Sequence, residues 1–546
     1  MTKRIVPACV AGLIVLSPCA IVPAAAQGAL GQRSGGGAAA PTRVPVKAFK
    51  VEGNTLLPQA RLDAALARHL GERSVDELKQ AAAEVQALYA RAGYGGVVAV
   101  LPPQPLDQGI VTIAVTEGRL AQVAIAGHRQ FSEDNIRASL PGLATGATPN
   151  LKLLDQHIQI ANENPAKQVQ VVLEPGQRPG QTRAHVTVTE QPVRTVALAL
   201  DNSGNDTTGR WRASAAWQHA NVAGRDHVWS VQATVSPDKP EAVRVLSTAY
   251  RVPLYRQRLV LDAYAAYSDI DGGSTATVAG DLRFTGQGRL FGVRAGRYLP
   301  RLGEIDHRVS LGLDHRDYIN SCAVAGLPPG ACGPAGESVS VQPLWMEYTA
   351  RKPLPVPVGV TVSLHHNLQL GGGHARAERF EAVRTGSKPR YTLLRPALSA
   401  SLPVGAAWRI DGRVHAQFTG DALVPSEQFG IGGAASVRGY EERELAGDRG
   451  VAGSIELVGP NVAPAVGLAN GELRPLVFVD GGRVRNRLGT PCLEVRDACS
   501  IRSAGAGARL SAGRWSAQLF VAQAHETAAR TERNDTRAHV ALAYSF

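Results

Sequence analysis

Beyond residue 192 the chain is a succession of short stretches in which apolar and polar side chains alternate, among them 211–219, 227–235, 243–252, 259–268, 309–318, 358–370, 391–402, 408–418 and 515–522. A period of two sends successive side chains to opposite faces of a strand, so each stretch predicts a strand with one apolar face. Seventeen such stretches can be counted. An odd number would leave the two ends of a closed barrel on opposite sides of a membrane, whereas single-chain bacterial barrels have even counts. Residues 277–284 form the weakest stretch, short and set between glycine-rich segments, and are assigned to a loop or strand extension. A sixteen-stranded antiparallel barrel over 193–546 is therefore expected. It would have about 22 residues for each strand and its connection, against a spanning strand of ~10. No segment after the N-terminal run carries ~20 uninterrupted apolar residues, so a membrane crossing here would use strands and not helices.

Residues 46–188 follow a different rhythm. A strand-like run at 46–51 leads into a turn through Glu52, Gly53, Asn54 and Thr55. A helical stretch follows at 58–70, with Leu62, Leu66 and Leu70 four apart and Pro58 in the first turn. Ser74 with Glu77 three residues on predicts a capping box for a second amphipathic helix, which carries Leu78, Val85, Leu88 and Tyr89 and stops at Gly93. Strands at 97–101 and 110–115 complete the order β-α-α-β-β. The same order recurs: strand 120–126, a turn at Gly127, helices near 132–140 and 150–161, and strands 169–173 and 184–188. Two tandem α+β modules, 46–117 and 118–192, are expected. The arrangement resembles the POTRA domain, with Gly53 and Gly127 where that family places a glycine after its first strand.

Ahead of the modules, Lys3 and Arg4 precede an apolar run at 5–22, and Ala24, Ala25 and Ala26 supply the small residues of a cleavage site before Gln27. Pro7, Pro18 and Pro23 interrupt the run, which argues for a signal peptide over 1–26 and against an anchor helix. Residues 27–45 are small and without hydrophobic period, and predict a flexible linker. Cys9 and Cys19 leave with the signal peptide. The other cysteines fall as two close pairs, Cys322 with Cys332 and Cys492 with Cys499, in polar or Gly/Pro-rich loops. In an oxidising compartment each pair predicts a disulfide stapling its own loop. Metal binding is the rival, but no histidine lies beside either pair at ligand spacing.

Net charge narrows the partners. The formal +12 becomes about +10 without Lys3 and Arg4, and the basic residues are scattered along strands and turns instead of forming a block. Nucleic acid is not an expected partner. A basic lumen, or a basic rim facing outer-membrane lipid and anionic lipopolysaccharide, accounts for the excess.

Two motifs carry the specific chemistry. Ser436, Val437, Arg438, Gly439 and Tyr440 run together inside the longest loop, about 419–450, and Phe478, Asp480 and Gly482 lie at the end of a following strand. The chain closes at 540–546 on an alternating strand with Tyr544 and the terminal aromatic Phe546. The loop and strand motifs, with two POTRA-like modules and a sixteen-strand barrel, resemble the two-partner secretion transporters of the haemolysin-activator and haemagglutinin-exporter type. The resemblance implies that the long loop folds into the lumen and that Arg438 pairs with Asp480 on the inner wall as a latch. A guanidinium forks onto a carboxylate through two charge-assisted bonds, Gly439 lets the loop tip turn, and Tyr440 packs on the wall. It further implies an unfolded, dedicated client protein bound in extended form by the POTRA modules through β-augmentation. Phe546 and Tyr544 resemble the signal by which the barrel-assembly machinery recognises barrels for insertion. Many members of the family begin with a helix that occupies the pore, and 27–45 shows no helical periodicity to match it.

No catalytic constellation is found: there is no phosphate-binding Gly-x-x-x-x-Gly-Lys-Ser/Thr, no Ser/His/Asp set and no HExxH. No cofactor, metal or ATP is expected, and export would draw on folding of the client outside the cell. His365 and His366 lie within an alternating strand and read as a lumen or surface pair. Two rival readings are a barrel-assembly factor of the same superfamily, which usually carries more POTRA repeats, and a passive porin or adhesive barrel, which leaves Arg438 and Asp480 unexplained.

Overall fold

The structure is a computed structural model that describes residues 43–106, 108–206, 208–270, 274–277, 280–283, 286–320, 337–405 and 407–546. The expected signal peptide, the linker up to residue 42, Cys322 and Cys332 lie outside these residues. The chain divides into two units, which meet in sequence near Glu190.

The first unit runs β1 (Arg43–Val46), β2 (Ala48–Glu52), α1 (Gln59–Leu66), β3 (Gly71–Ser74), α2 (Val75–Ala92), β4 (Val98–Val100), β5 (Ile110–Thr116), β6 (Arg119–Ala126), α3 (Glu133–Ser139), α4 (Leu151–Ala161), β7 (Lys167–Pro175) and β8 (Gln181–Glu190). Its two sheets share one plan. In β2-β5-β4 the pair β2–β5 is parallel and β4–β5 antiparallel; in β6-β8-β7 the pair β6–β8 is parallel and β7–β8 antiparallel. The linker ends earlier than its lack of periodicity suggests, because Arg43, Val44 and Pro45 belong to β1, paired with β3. A proline is tolerated in such a two-stranded ribbon, where one side of the strand has no ladder to complete. The predicted strand 46–51 breaks at Lys47, whose N–H and that of Ala48 both donate to Gly109 O.

The local signals of the first module fold as physical chemistry requires. Ser74 Oγ accepts from Glu77 N and Glu77 Oε2 from Ser74 N, closing the capping box of α2. Gly93 ends α2 at φ +102°. Leu62, Leu66, Val85 and Tyr89 fill the core against Ile113 and Val115, whereas Leu70 falls past the end of α1 and is exposed.

One device is built twice. Gly53 and Gly127 sit at φ +83° and +88°, where a Cβ would collide with the carbonyl oxygens of Val115 and Val188 respectively. The backbone amides that follow each turn are then gathered by a carboxylate from just beyond the module's central strand or from its end. Glu117 accepts from Thr55 N and Leu56 N and from the Tyr89 hydroxyl. Glu190 accepts from Arg129 N, Gln130 N and Phe131 N. Burial opposes ionisation of Glu190, yet these three N–H donors hold its carboxyl below the usual carboxylate range. Burial beside Glu117 pushes the Tyr89 hydroxyl up.

The modules are fastened to each other at the start of α4. Asn150 caps α4 by accepting from Leu153 N, and its Nδ2 donates to Ala92 O at the end of α2 at 2.9 Å. Lys152 Nζ donates to Arg91 O at 2.7 Å, so carbonyls left open at the C-terminus of α2 are satisfied by the next module.

The second unit is a closed barrel. Its strands are β9 (Arg194–Asp201), β10 (Arg212–Val222), β11 (His227–Val235), β12 (Val243–Leu254), β13 (Leu259–Ile270), and, after a hairpin of β14 (Ser274–Thr277) and β15 (Gly280–Arg283), β16 (Gly286–Tyr298). They continue as β17 (Asp306–Ile319), β18 (Val339–Val341), β19 (Pro343–Lys352) and β20 (Val358–Asn367). Helix α5 (Ala377–Val383) precedes β21 (Thr392–Val404) and β22 (Trp408–Thr419). A second hairpin, β23 (Phe429–Ile431) and β24 (Leu445–Gly447), precedes β25 (Arg449–Val458), β26 (Gly471–Arg485), β27 (Ala498–Ala512), β28 (Trp515–Ala524) and β29 (Thr536–Ser545). The wall is a sixteen-strand antiparallel barrel closed by β29 on β9. β14 and β15 pair only with each other, as an extension outside the wall. β18 continues the line of β19 along β17, with Gln342 between them.

Alternation separates lipid from lumen. On β26, Val477 and Val479 are 53% and 55% exposed, whereas Phe478 and Asp480 between and beyond them are 4% exposed. Inward charges are shared: Arg251 and Arg294 both donate to Asp262. Closure leaves no unpaired edge in the hydrocarbon layer, the condition for strands to cross a membrane. At the seam the ladder runs only from Ala541 with Asp201 to Ser545 with Ala197, and is prolonged at one end by reciprocal bonds between Val196 and Phe546. At the other end the Asn202 side chain takes its place, accepting from Val540 N and donating to Ala538 O.

Replacing Gly53 or Gly127 with alanine is expected to destabilise its module by about 1–3 kcal/mol, since both the backbone conformation and the adjacent carbonyl resist a Cβ. Hydrogen exchange of the full chain checks this. Faster exchange should appear in β4 and β5 for Gly53→Ala and in β7 and β8 for Gly127→Ala, with barrel strands unchanged.

Candidate functional site

The connection 420–448 between β22 and β25 folds back on itself through the β23–β24 hairpin and is largely buried. Its apolar face, Phe429, Ile431, Val437 and Leu445, packs on Ala452, Val484 and Ile501 of the wall. Gly482 makes that approach possible: a Cβ there would meet Ile431 at 3.2 Å and Val437 at 3.3 Å.

At the loop tip Arg438 has no exposed surface. Its Nε donates to Asp480 Oδ2 at 2.7 Å, one terminal nitrogen to Asp480 Oδ1 at 2.7 Å, and its backbone N–H to Oδ2 at 3.1 Å. Two further donors reach Glu456 Oε1 at 2.8 Å and Ser454 Oγ at 2.9 Å. Aromatic rings add to these bonds, because the guanidinium carbon also lies 3.4 Å from the ring centre of Phe478 and 4.9 Å from that of Phe520. Ser454 and Asp480 are cross-strand neighbours on β25 and β26, which brings the acceptors together. Two carboxylates share two cations here, since Arg509 also donates to Glu456.

The neighbours of Arg438 complete the grip. Gly439, at φ +92°, turns the tip and donates its N–H to His539 Nε2 on β29 at 3.0 Å, with Ala522 3.3 Å from the position of a Cβ. Tyr440 is buried; its hydroxyl donates toward Arg502 O and Glu526 O and accepts from Glu526 N.

The structure thus brings Val437, Arg438, Gly439, Tyr440, Phe478, Asp480 and Gly482 into one cluster. It also joins Cys492, in the connection before β27, to Cys499 at the start of that strand. Tyr544 and Phe546 lie apart from the cluster at the barrel's other rim, where Tyr544 stacks between Trp515 and Phe546. Cys322 and Cys332 lie outside the described residues. Sequence reasoning did not find Glu456, Ser454, Phe520 and His539. The inward positions of each strand were legible in the alternation, but which inward positions of β25, β26, β28 and β29 stand side by side depends on strand register. His365, on β20, stacks on Trp345 and bonds Ser363 Oγ, and no metal-type cluster occurs among the described residues.

Known proteins share this architecture. The family described as haemolysin secretion/activation protein ShlB/FhaC/HecB matches residues 180–510, and the POTRA domain of ShlB type matches residues 44–118. The outer membrane transporter CdiB of Dickeya dadantii is 26% identical over 418 residues, 73% of this chain and 69% of that one. The hemolysin transporter protein ShlB of Serratia marcescens is 23% identical over 447 residues, 79% of this chain and 76% of its own. The solved structure of CdiB from Escherichia coli superposes with a TM-score of 0.74 at 20% identity, covering 94% of this chain and 93% of that one. The barrel is an outer-membrane barrel and its POTRA modules are periplasmic. With more than half of its length matched, the chain belongs to the ShlB/FhaC/HecB family of haemolysin secretion/activation proteins, a family of outer-membrane transporters.

Proposed function

We propose that this transporter exports one dedicated partner protein, unfolded and without ATP, from the periplasm through the barrel to the cell surface. The observation that carries the reading is the pairing of Arg438 with Asp480, which fixes a folded loop against the inner wall beside Phe478 and Gly482. A passive pore has no use for a buried ion pair whose loss leaves two carboxylates short of a cation. A latch does, because it gives the loop one defined resting position from which it can be released.

Client capture falls to the POTRA modules. β4 is an edge strand whose Val98 and Val100 point outward, each 49% exposed, and β7 is the matching edge of the second sheet with Val172 exposed. Both offer unpaired backbone groups and apolar contacts to an extended chain joining as an added strand. The fastening by Asn150 keeps the two edges at a fixed spacing, so a client of the right length and pattern engages both. Tyr544 and Phe546 serve the barrel-assembly machinery during insertion, and basic groups at the rim meet lipid and lipopolysaccharide.

Arg438→Ala should lower export at least tenfold while the barrel stays folded and heat-modifiable in gels, since it unlatches the loop without touching a lipid-facing position. Export of the partner at the parental rate, with equal protein in the membrane, would remove the latch from the mechanism. Deleting residues 44–118 should abolish export and spare insertion. Proteomics of supernatant and outer membrane checks both variants: loss of one large secreted protein is expected, and depletion of many barrel proteins would point instead to an assembly factor.

A further inference from the structure

The in-folding loop has a second charged attachment, of opposite polarity and on another part of the wall. Glu427, at the start of the loop before β23, is 2% exposed. Its Oε1 accepts from Tyr318 Oη at 2.8 Å and from Arg316 at 3.1 Å, and its Oε2 lies 3.5 Å from Arg395. Arg316 and Tyr318 are inward positions of β17, and Arg395 belongs to β21. Gln417 of β22 braces the same point, accepting from Arg395 Nε at 2.8 Å and donating to Glu427 O at 3.1 Å.

Strand order gives these contacts their meaning. Around the wall the sequence β17-β19-β20-β21-β22-β25-β26-β27-β28-β29 places β17 about half a circumference from β28 and β29. Arg438 is held by groups on β25, β26, β28 and, through Gly439, β29. Glu427 is held by groups on β17 and β21 and, through its carbonyl oxygen, by Gln417 of β22. From Arg316 and Tyr318 on β17 to Phe520 on β28, the attachments of the loop span the bore.

Where the loop rejoins the wall a third buried charge secures it. Asp448, with no exposed surface, takes a bidentate pair from Arg384 at 2.5 and 2.9 Å. It also accepts from Leu423 N, Gln428 Nε2 and Arg487 N. Arg384 directly follows α5, so this carboxylate joins three connections on the long-loop side of the barrel.

We infer that Glu427 is a positioning residue for transport: with Arg316, Arg395 and Tyr318 it pins the stem of the loop to one wall while Arg438 pins the tip to the other, making the loop a crossbar. The polarities are reversed at the two ends. At the stem the loop supplies the acid and the wall the bases; at the tip the loop supplies the base and the wall the acids. Release of either end alone leaves the loop tethered within the bore, and full opening requires both. The inference rests on the proposed role of the loop as a latched element of the transport path, and takes that element to obstruct the bore at rest.

Single-channel recording in planar bilayers tests it on the full-length protein, with Glu427→Gln, Arg438→Ala and the double variant compared to the parent. Glu427→Gln keeps the side-chain shape and removes the charge. Its time in large-conductance states should rise about tenfold, the shift expected from losing one charge-assisted hydrogen bond. The double variant should stay open at the full conductance of an unobstructed barrel, and Glu427→Asp should return toward the parent. If Arg438→Ala opens the channel and Glu427→Gln matches the parent in conductance and export, the crossbar is overturned and the obstruction stands. If neither variant nor the double opens it, the loop is not the obstruction and both readings fall. Tyr318→Phe, which deletes one donor from the same carboxylate, covers poor insertion of Glu427→Gln: a smaller rise of the same kind supports the pin, and no change refutes it.

Discussion

An arginine with no exposed surface is costly unless every charge-bearing face finds a partner, and Arg438 is the point from which the barrel's interior is organised. Its guanidinium needs carboxylates on two strands, a hydroxyl between them and an aromatic ring beneath. That set fixes the inward residues of β25 and β26 as Ser454, Glu456, Phe478 and Asp480. The glycine at 482 follows from the same demand, because the loop can reach this depth only where Ile431 and Val437 can touch the backbone of the wall. Removing one partner from such a group costs about 3–5 kcal/mol, so the loop has one strongly preferred seat.

Closure of the wall supplies the second constraint. Strands in lipid must satisfy their backbone groups with each other, and the alternation of apolar and polar positions turns paired acids and arginines inward. The consequence is a lumen in which acids and arginines are partners across strands, as with Asp262 between Arg251 and Arg294 and Glu456 between Arg438 and Arg509. A basic lumen or a basic rim was expected from the net charge; within the lumen, the structure shows inward arginines distributed among shared carboxylates.

Much of this was legible in the sequence because it is written in local periods. The alternating stretches gave the strands, parity set aside residues 277–284, and Ser74 with Glu77 announced α2. The turn glycines Gly53 and Gly127 were visible, but the carboxylates that complete those turns, Glu117 and Glu190, stand more than sixty residues further on and are brought near by parallel pairing that no local period reports. The same limit hid Glu456, His539 and the surroundings of Glu427. β1 escaped notice because Arg43, Val44, Pro45 and Val46 are too few to show a period and owe their strand to β3. Arg438 and Asp480 were found because their motifs resemble a family pattern and not because spacing alone puts them together.

A buried ion pair is hard to break only while the freed charges stay dry. Within a transport barrel they need not. Once the tip of the loop leaves its seat, Arg438 on one side and Asp480 with Glu456 on the other face an aqueous bore and regain hydration, which offsets most of the lost pairing. An extended client supplies backbone groups and cannot substitute for a guanidinium between two carboxylates, so it does not compete for the latch directly. In the proposed mechanism it would instead occupy the bore and shift the population of the loop between its seated and released positions, an effect set by the difference in its affinity for the two states. Strong seating and cheap release are then compatible, and the reversed charges of Glu427 and Arg438 ensure that no single charged segment of a client favours release at both ends.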